Sequence, residues 1–179
     1  MDEKTQKLNG YGIKGNLLQF FKNFLTNRTQ KVKIGNVLSA ECLVTSGVPQ
    51  GTVLGPLLFS LYINDVQNEI TNSKILLFAD DCKIYRGIDN ANDQIALQND
   101  LCHFVDWCKK WQLRLAVNKC CFHSVGFRNN LESSYTLDGE YLDYEQFVRD
   151  LGIIIDDMLK FSFNTQHIIK KSFLPVYSN

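Results

Sequence analysis

The sequence carries no net charge, since 19 lysines and arginines stand against 19 aspartates and glutamates. That balance by itself neither invites nor rejects a polyanionic partner. An apolar segment is missing from the start: MDEKTQKLNG has no h-region, so no signal peptide is expected. No run is long enough to span a bilayer, and the longest, VLGPLLFSLYI at 53–63, is interrupted by Gly55 and Pro56. The reading is therefore an intracellular chain without a membrane anchor. Repeats, low-complexity tracts and long linkers are absent, which leaves one domain or a piece of a larger one. No group of cysteines has the spacing of a compact zinc knuckle. Cys108, Cys120, Cys121 and His123 come nearest, and they read as core filler. Without a secretory signal the six cysteines are expected to be reduced and mostly buried.

What is present is unevenly placed. Hydrophobic residues make up 45% of the chain and charged residues 21%, enough apolar matter for a packed core. Between Lys4 and Ala40 there are seven basic residues and no acid; between Glu41 and Asp81 five acids face only Lys74. This asymmetry suits a basic surface leading into an acidic pocket, as nucleic acid plus a divalent metal would require. Lysines on solvated faces would give the same pattern.

Periodicity supplies the elements. Leu17, Leu18, Phe21, Phe24 and Leu25 lie on one face of a helix over 15–26. TQKVKIGNVLSAECLVTSG reads as two strands turning at Gly35-Asn36. GVPQGTVLGP is a Gly/Pro loop running into a buried helix, LLFSLYINDV, whose early Pro56 is tolerated in a first turn. The clearest helix is DNANDQIALQNDLCHFVDWCKKWQLRL, with Leu97, Leu101, Phe104, Val105, Cys108 and Trp111 on one stripe and Asn92 or Asp93 as cap. Short strands follow in CCFHSVGF, SSYTL and EYL, the last two joined by Asp138-Gly139. RDLGIII is read as one further strand, and FNTQHIIKKSF as a helix. Helices interleaved with antiparallel hairpins predict an α+β fold, a small antiparallel sheet with helices on one face.

The segment KILLFADDCKIYR, 74–86, sets two adjacent acids between apolar runs. Residues 75–78 read as a strand, Cys82, Ile84 and Tyr85 as its return, and Ala79-Asp80-Asp81 as the bend. Neighbouring strand side chains point to opposite faces, so a turn is needed to present both acids to one locality. Clustered carboxylates suit Mg²⁺, which takes oxygen ligands and keeps waters or substrate phosphates in its other positions. A solvated structural turn is the plainer alternative.

In order along the chain, YGIKGNLLQFFKNFLTNRTQKVKIG, GVPQG, LGPLLF, YINDV, FADD, LQNDLCHFVDWCKKWQLRL, NKC and RDLGIIID resemble the palm of a reverse transcriptase. More narrowly, they resemble that of non-LTR, LINE-type or jockey-like retrotransposons. The resemblance covers nearly all of residues 1–179. It implies an RNA-directed DNA polymerase that joins nucleotides to a primer 3′-hydroxyl with two Mg²⁺ ions, which in such sites lie roughly 3.5–4 Å apart. RNA template, DNA primer and deoxynucleotides are the implied partners, with no obligate protein partner, and the nucleus is the implied place of work.

Residue by residue, Asp80 and Asp81 match the metal-binding acids, with Asp80 the direct ligand and Asp81 nearer the primer end. Phe78 matches the bulky residue beside them, although a strand residue could also be core. Pro49, Gln50 and Gly51 match the loop that lines the nucleotide pocket, where Gly51 would let the backbone come close to the substrate. Lys119 matches a lysine that helps protonate the leaving pyrophosphate. Leu151 and Gly152 match the primer grip.

Some features depart from the pattern. The family's third metal-binding aspartate precedes a KL…GI segment that matches Lys7-Leu8 and Gly12-Ile13, so it is expected upstream of Met1. Asp2 lies near but has no apolar strand to position it. The fingers are likewise expected upstream and the thumb downstream. Ala116 stands where the family commonly has asparagine. The chain alone is therefore expected to be inactive. The alternative reading is a non-catalytic RNA- or DNA-binding remnant, or a structural relic of a truncated element.

Overall fold

The computed structural model describes residues 3–126 and 134–172, which form two compact units: Met1–Thr71 with Ile75–Ile84, and Asn72–Lys74 with Tyr85–Asn179. Asp2 lies outside the described residues.

The first unit starts with α1 (Glu3–Gly10) and α2 (Gly15–Leu25). In α2, Phe21 and Leu25 recur at helical spacing and are buried, while Leu17 and Phe20 remain about half exposed. The helix ends where Thr26 turns extended, its backbone N–H donating to Lys22 O. Asn27 follows with φ +53°. Phe21 and Leu25 pack with Leu8 of α1 and with Leu58, forming the core of this unit. Helix α1 carries no apolar period that sequence reading could detect. Its buried residues are Thr5, Lys7 and Leu8, so polar side chains occupy much of its inward face. Lys7 is held there because its ammonium donates to Tyr62 O and Asp65 Oδ1, each at 2.6 Å. A buried cation persists only with such partners.

The predicted hairpin at Gly35-Asn36 is present within a longer ribbon. Strand β1 (Arg28–Gln30) pairs antiparallel with β4 (Cys42–Val44), and β2 (Lys33–Ile34) with β3 (Val37–Leu38). Helix α3 (Leu54–Ile63) contains Pro56 in its first turn, as expected, and continues into a 3₁₀ turn over Asn64–Asn68. Strands β5 (Lys74–Phe78) and β6 (Asp81–Tyr85) complete the strands of this part of the chain as a two-stranded ladder.

The second unit is organised around α4 (Ala91–Lys110), the longest described helix. Its start is a capping box. The Asn90 side chain accepts from the N–H groups of Asn92 and Asp93, and Asp93 reaches back to the Asn90 N–H. The cap is thus Asn90, rather than Asn92 or Asp93 as the sequence suggested. The predicted stripe is right in Phe104, Val105 and Cys108, but it also contains Trp107 and a fully buried Asp100. Gln98 substitutes for a neighbouring strand, accepting from Thr136 N at 2.8 Å and donating to Thr136 O at 3.0 Å. Thr136 opens β8 (Thr136–Leu137), which pairs with β9 (Glu140–Tyr141) across Asp138-Gly139, both at positive φ as a two-residue hairpin of this kind needs.

Strand β7 (Cys121–Phe122) pairs in parallel with β10 (Asp143–Tyr144). RDLGIII is not one strand: β11 (Phe147–Asp150) and β12 (Ile153–Asp156) form a hairpin, with Leu151 and Gly152 in its turn. Helix α5 (Ser162–Ser172) follows, and Phe163 packs on Phe147 with ring centroids 4.4 Å apart.

The architecture is α+β, and in place of one small sheet the strands of the described residues pair as six separate two-stranded ladders. All six cysteines are free, but only Cys108 is buried; Cys42, Cys102 and Cys121 are exposed. Cys108 alone lies on the apolar stripe of α4, and burial pushes its thiol up to about 11.

Candidate functional site

The two acids stand at the tip of the β5–β6 hairpin. The connection is two residues, Ala79 and Asp80, so Asp81 already opens β6 rather than lying in the bend. Ala79 takes φ +51°, an uncommon conformation for a residue with a β-carbon. That tight reversal is what lets consecutive acids share one end of the hairpin, and both side chains are exposed. Exposure alternates along both strands: Ile75, Leu77, Cys82 and Ile84 are half-buried, while Leu76, Phe78, Asp81 and Lys83 face outward. Phe78 is 63% exposed, so it is not a core residue. The two-residue connection sets Phe78 opposite Asp81, on the same face.

Pro49, Gln50 and Gly51 form the turn that leads into α3, also within the first unit. Gly51 has φ +76°, and a Cβ there would meet nothing within 4 Å. The backbone conformation, not crowding within the chain, calls for glycine at this point. The turn is held from both sides. Arg28 spans Leu25 O, Ser46 O and Gly47 O with its guanidinium, fixing the approach to the loop. Thr52 donates to Pro49 O at 2.8 Å and accepts from Gly55 N at 3.1 Å. Gly55 is buried beneath, and a Cβ on it would come within 3.0 Å of Pro49 O. No signal in the sequence singles out Arg28 or Gly55: the first is one of seven basic residues between Lys4 and Ala40, and the second a glycine within an apolar run.

Lys119 and the Leu151-Gly152 pair belong to the second unit. Lys119 is exposed and ends a single 3₁₀ turn, Val117–Lys119, two residues before β7. Leu151 is 56% exposed at the tip of the β11–β12 hairpin. Thus the structure gathers Phe78, Asp80 and Asp81 on one hairpin and Pro49, Gln50 and Gly51 in one turn. It leaves Lys119 and Leu151-Gly152 in separate elements.

Among the described residues no group of three or more His, Cys, Asp or Glu side chains is placed to hold a metal ion. Asp80 and Asp81 remain a two-carboxylate set. Such a set fits Mg²⁺, which commonly takes one or two protein carboxylates and completes its shell with water and phosphate oxygens. No helix among the described residues is long and apolar enough to cross a membrane.

Comparison with known proteins identifies the family of the chain. A family model described as reverse transcriptase (RNA-dependent DNA polymerase) matches residues 1–171. The chain is 31% identical over 157 residues to the RNA-directed DNA polymerase from mobile element jockey of Drosophila funebris, covering 81% of this chain and 17% of that protein. It is 29% identical over 160 residues to the jockey polymerase of Drosophila melanogaster (82% and 17%). It is 29% identical over 151 residues to the probable RNA-directed DNA polymerase from transposon BS of the same species (78% and 17%). The chain therefore spans about one sixth of the length of these relatives. No solved structure matches it. Reverse transcriptases generally use a divalent metal, and the α+β fold fits a partial polymerase palm. With its motifs in the family's order and the match running through 171 residues, the chain belongs to the reverse transcriptase (RNA-dependent DNA polymerase) family, in its non-LTR retrotransposon branch.

Proposed function

We propose that residues 1–179 are the palm portion of an RNA-directed DNA polymerase, carrying carboxylates for nucleotide transfer to a primer 3′-hydroxyl. The observation that carries this reading is the hairpin tip, where a two-residue turn exposes Asp80 and Asp81 side by side. Asp80 would ligate Mg²⁺ directly and Asp81 would lie on the primer side. Bound there, Mg²⁺ supplies Lewis-acid stabilisation of phosphate charge and a more acidic primer hydroxyl. Exposed Phe78 offers an apolar surface beside the primer terminus. Pro49, Gln50 and Gly51 would line the nucleotide pocket, with the positive φ of Gly51 turning its backbone toward substrate. Lys119 would give a proton to departing pyrophosphate, and Leu151-Gly152 would hold the primer strand. The partners on this reading are RNA template, DNA primer and deoxynucleotides, and the work is done in the nucleus.

The reading expects a third carboxylate beside the pair, and none joins it among the described residues. The 179-residue chain alone is expected to bind a divalent ion weakly and to extend a primer negligibly. Two measurements check this. Mn²⁺ titration followed by electron paramagnetic resonance should show a weak site that Asp80→Ala removes. Magnesium-dependent primer extension should stay at the level of the Asp80→Ala control. Equal Mn²⁺ binding by both chains would overturn the metal reading, and clear incorporation would overturn the inactivity.

The second reading, nucleic-acid binding without chemistry, is favoured by one feature. Lys14, Lys22, Lys31 and Lys33 are all exposed along α2 and the β1–β4 ribbon. It expects salt-sensitive RNA binding that survives Asp80→Ala, because phosphate contacts release counterions.

A further inference from the structure

Among the described residues the β5–β6 hairpin is a two-stranded ladder with no third strand beside it. An isolated hairpin is marginally stable in water. Something outside the ladder must therefore hold its stem if its tip is to have a defined geometry. Both ends of the stem lead to helix α4 through one continuous set of hydrogen bonds.

On the incoming side, Asn72 lies two residues before β5. Its backbone N–H donates to Asp100 Oδ2 at 3.0 Å, and its side-chain amide donates to Asp100 Oδ1 at 3.2 Å. On the outgoing side, Arg86 follows β6 directly. Its Nε and Nη2 donate to Asp93 Oδ1 at 3.2 and 2.7 Å. Arg86 Nη1 also donates to Asn72 O, joining the two ends to each other. The other oxygen of Asp93 accepts from the N–H groups of Asp89 and Asn90, which anchors the network in the first turn of α4. Asp93 and Asp100 are seven residues apart, two turns along one helix face. Asp100 is fully buried within an otherwise apolar stripe. A helix buries a carboxylate only for partners that repay its desolvation, and here two donors come from Asn72 at the hairpin's base.

We infer that Asp93 and Asp100 of α4, with Arg86 and Asn72, form a clamp that closes the stem of the β5–β6 hairpin. They are positioning residues for the Asp80-Asp81 tip. None of the four has a part in the chemistry proposed above. The inference rests on that proposal only for the use of the tip, not for the clamp itself.

The test uses the 179-residue chain. Amide hydrogen exchange across 75–85 should rise about tenfold or more in Asp100→Ala and in Arg86→Gln, while amides of α2 keep their rates. Asn72→Ala, at an exposed position, should give a smaller rise in the same segment and remains informative if Asp100→Ala does not fold. The exchanged pair Asn72→Asp/Asp100→Asn should restore protection. In it Asn at position 100 still accepts from the backbone N–H of position 72 and donates to the new carboxylate. Mn²⁺ affinity should weaken several-fold in the single variants and recover in the exchanged pair. Unchanged exchange in folded Asn72→Ala and Arg86→Gln, or no recovery in a folded exchanged pair, overturns the clamp. If the parent chain binds no Mn²⁺, the metal reading fails instead, and the exchange data still decide the clamp.

Discussion

At the scale of single residues, the tip of the β5–β6 hairpin depends on Ala79. Its φ of +51° brings Cβ toward the following carbonyl, which costs about 1–2 kcal/mol in an L-residue. Glycine would remove that strain but adds freedom to the unfolded chain, about 0.5–1 kcal/mol of opposite sign. Ala79→Gly should therefore lie within about 1 kcal/mol of the parent in urea unfolding, whereas branched Ala79→Val should lose about 1–3 kcal/mol. Equal stability of the valine variant would show that the turn relaxes to another conformation.

A second residue-scale expectation concerns acid. Asp156 is buried and accepts from the backbone N–H groups of Met158, Lys160 and Phe161, each at 3.0 Å. These bonds, the Lys160 N–H foremost, hold its carboxyl below the ordinary carboxylate range. The Arg86 guanidinium does the same for Asp93. A carboxyl depressed in the folded state stabilises fully above its unfolded value, about 3.9, and loses that contribution as pH falls through the folded value. Stability should thus fall as pH drops below about 4. Asp156→Asn should flatten that fall, read by urea unfolding at stepped pH. A curve unchanged by the substitution would remove Asp156 from the account.

At the scale of elements, two hairpins show what sequence can and cannot announce. Asp138-Gly139 is a strong turn signal, and β8 and β9 pair across it. Leu151-Gly152 makes a comparable turn, with φ of +46° and +91°, but leucine is not a turn residue and the segment reads as one long strand. Leu151 is more than half exposed, so little packing is at stake. Leu151→Asn should stabilise the β11–β12 hairpin by about 0.5–1 kcal/mol, since asparagine tolerates left-handed backbone better. Thermal unfolding measures it, and a loss of stability would mean that the leucine side chain makes a contact of its own. Helix α1 escaped sequence reading for a related reason. Its inward face carries Thr5 and Lys7, and the partner that makes a buried Lys7 tolerable, Asp65, is 58 residues away.

At the scale of the whole chain, the family was legible because GVPQG, LGPLLF, YINDV and FADD occur together in order, and the match over residues 1–171 bears that out. The α+β class followed from periodicity, and the position of the two acids between apolar strands was enough to place a hairpin there. These features are local: side-chain alternation and turn chemistry act over a few residues, so sequence alone determined them. The structure decided what depends on distant partners. It buried Asp100 against Asn72, 28 residues earlier in the chain, exposed Phe78 rather than sinking it in a core, and buried only one of the six cysteines. A residue type states what it can bond to, but not which backbone N–H or apolar neighbour will reach it. That choice is made only when separate segments pack, because desolvation is offset only by partners actually in place.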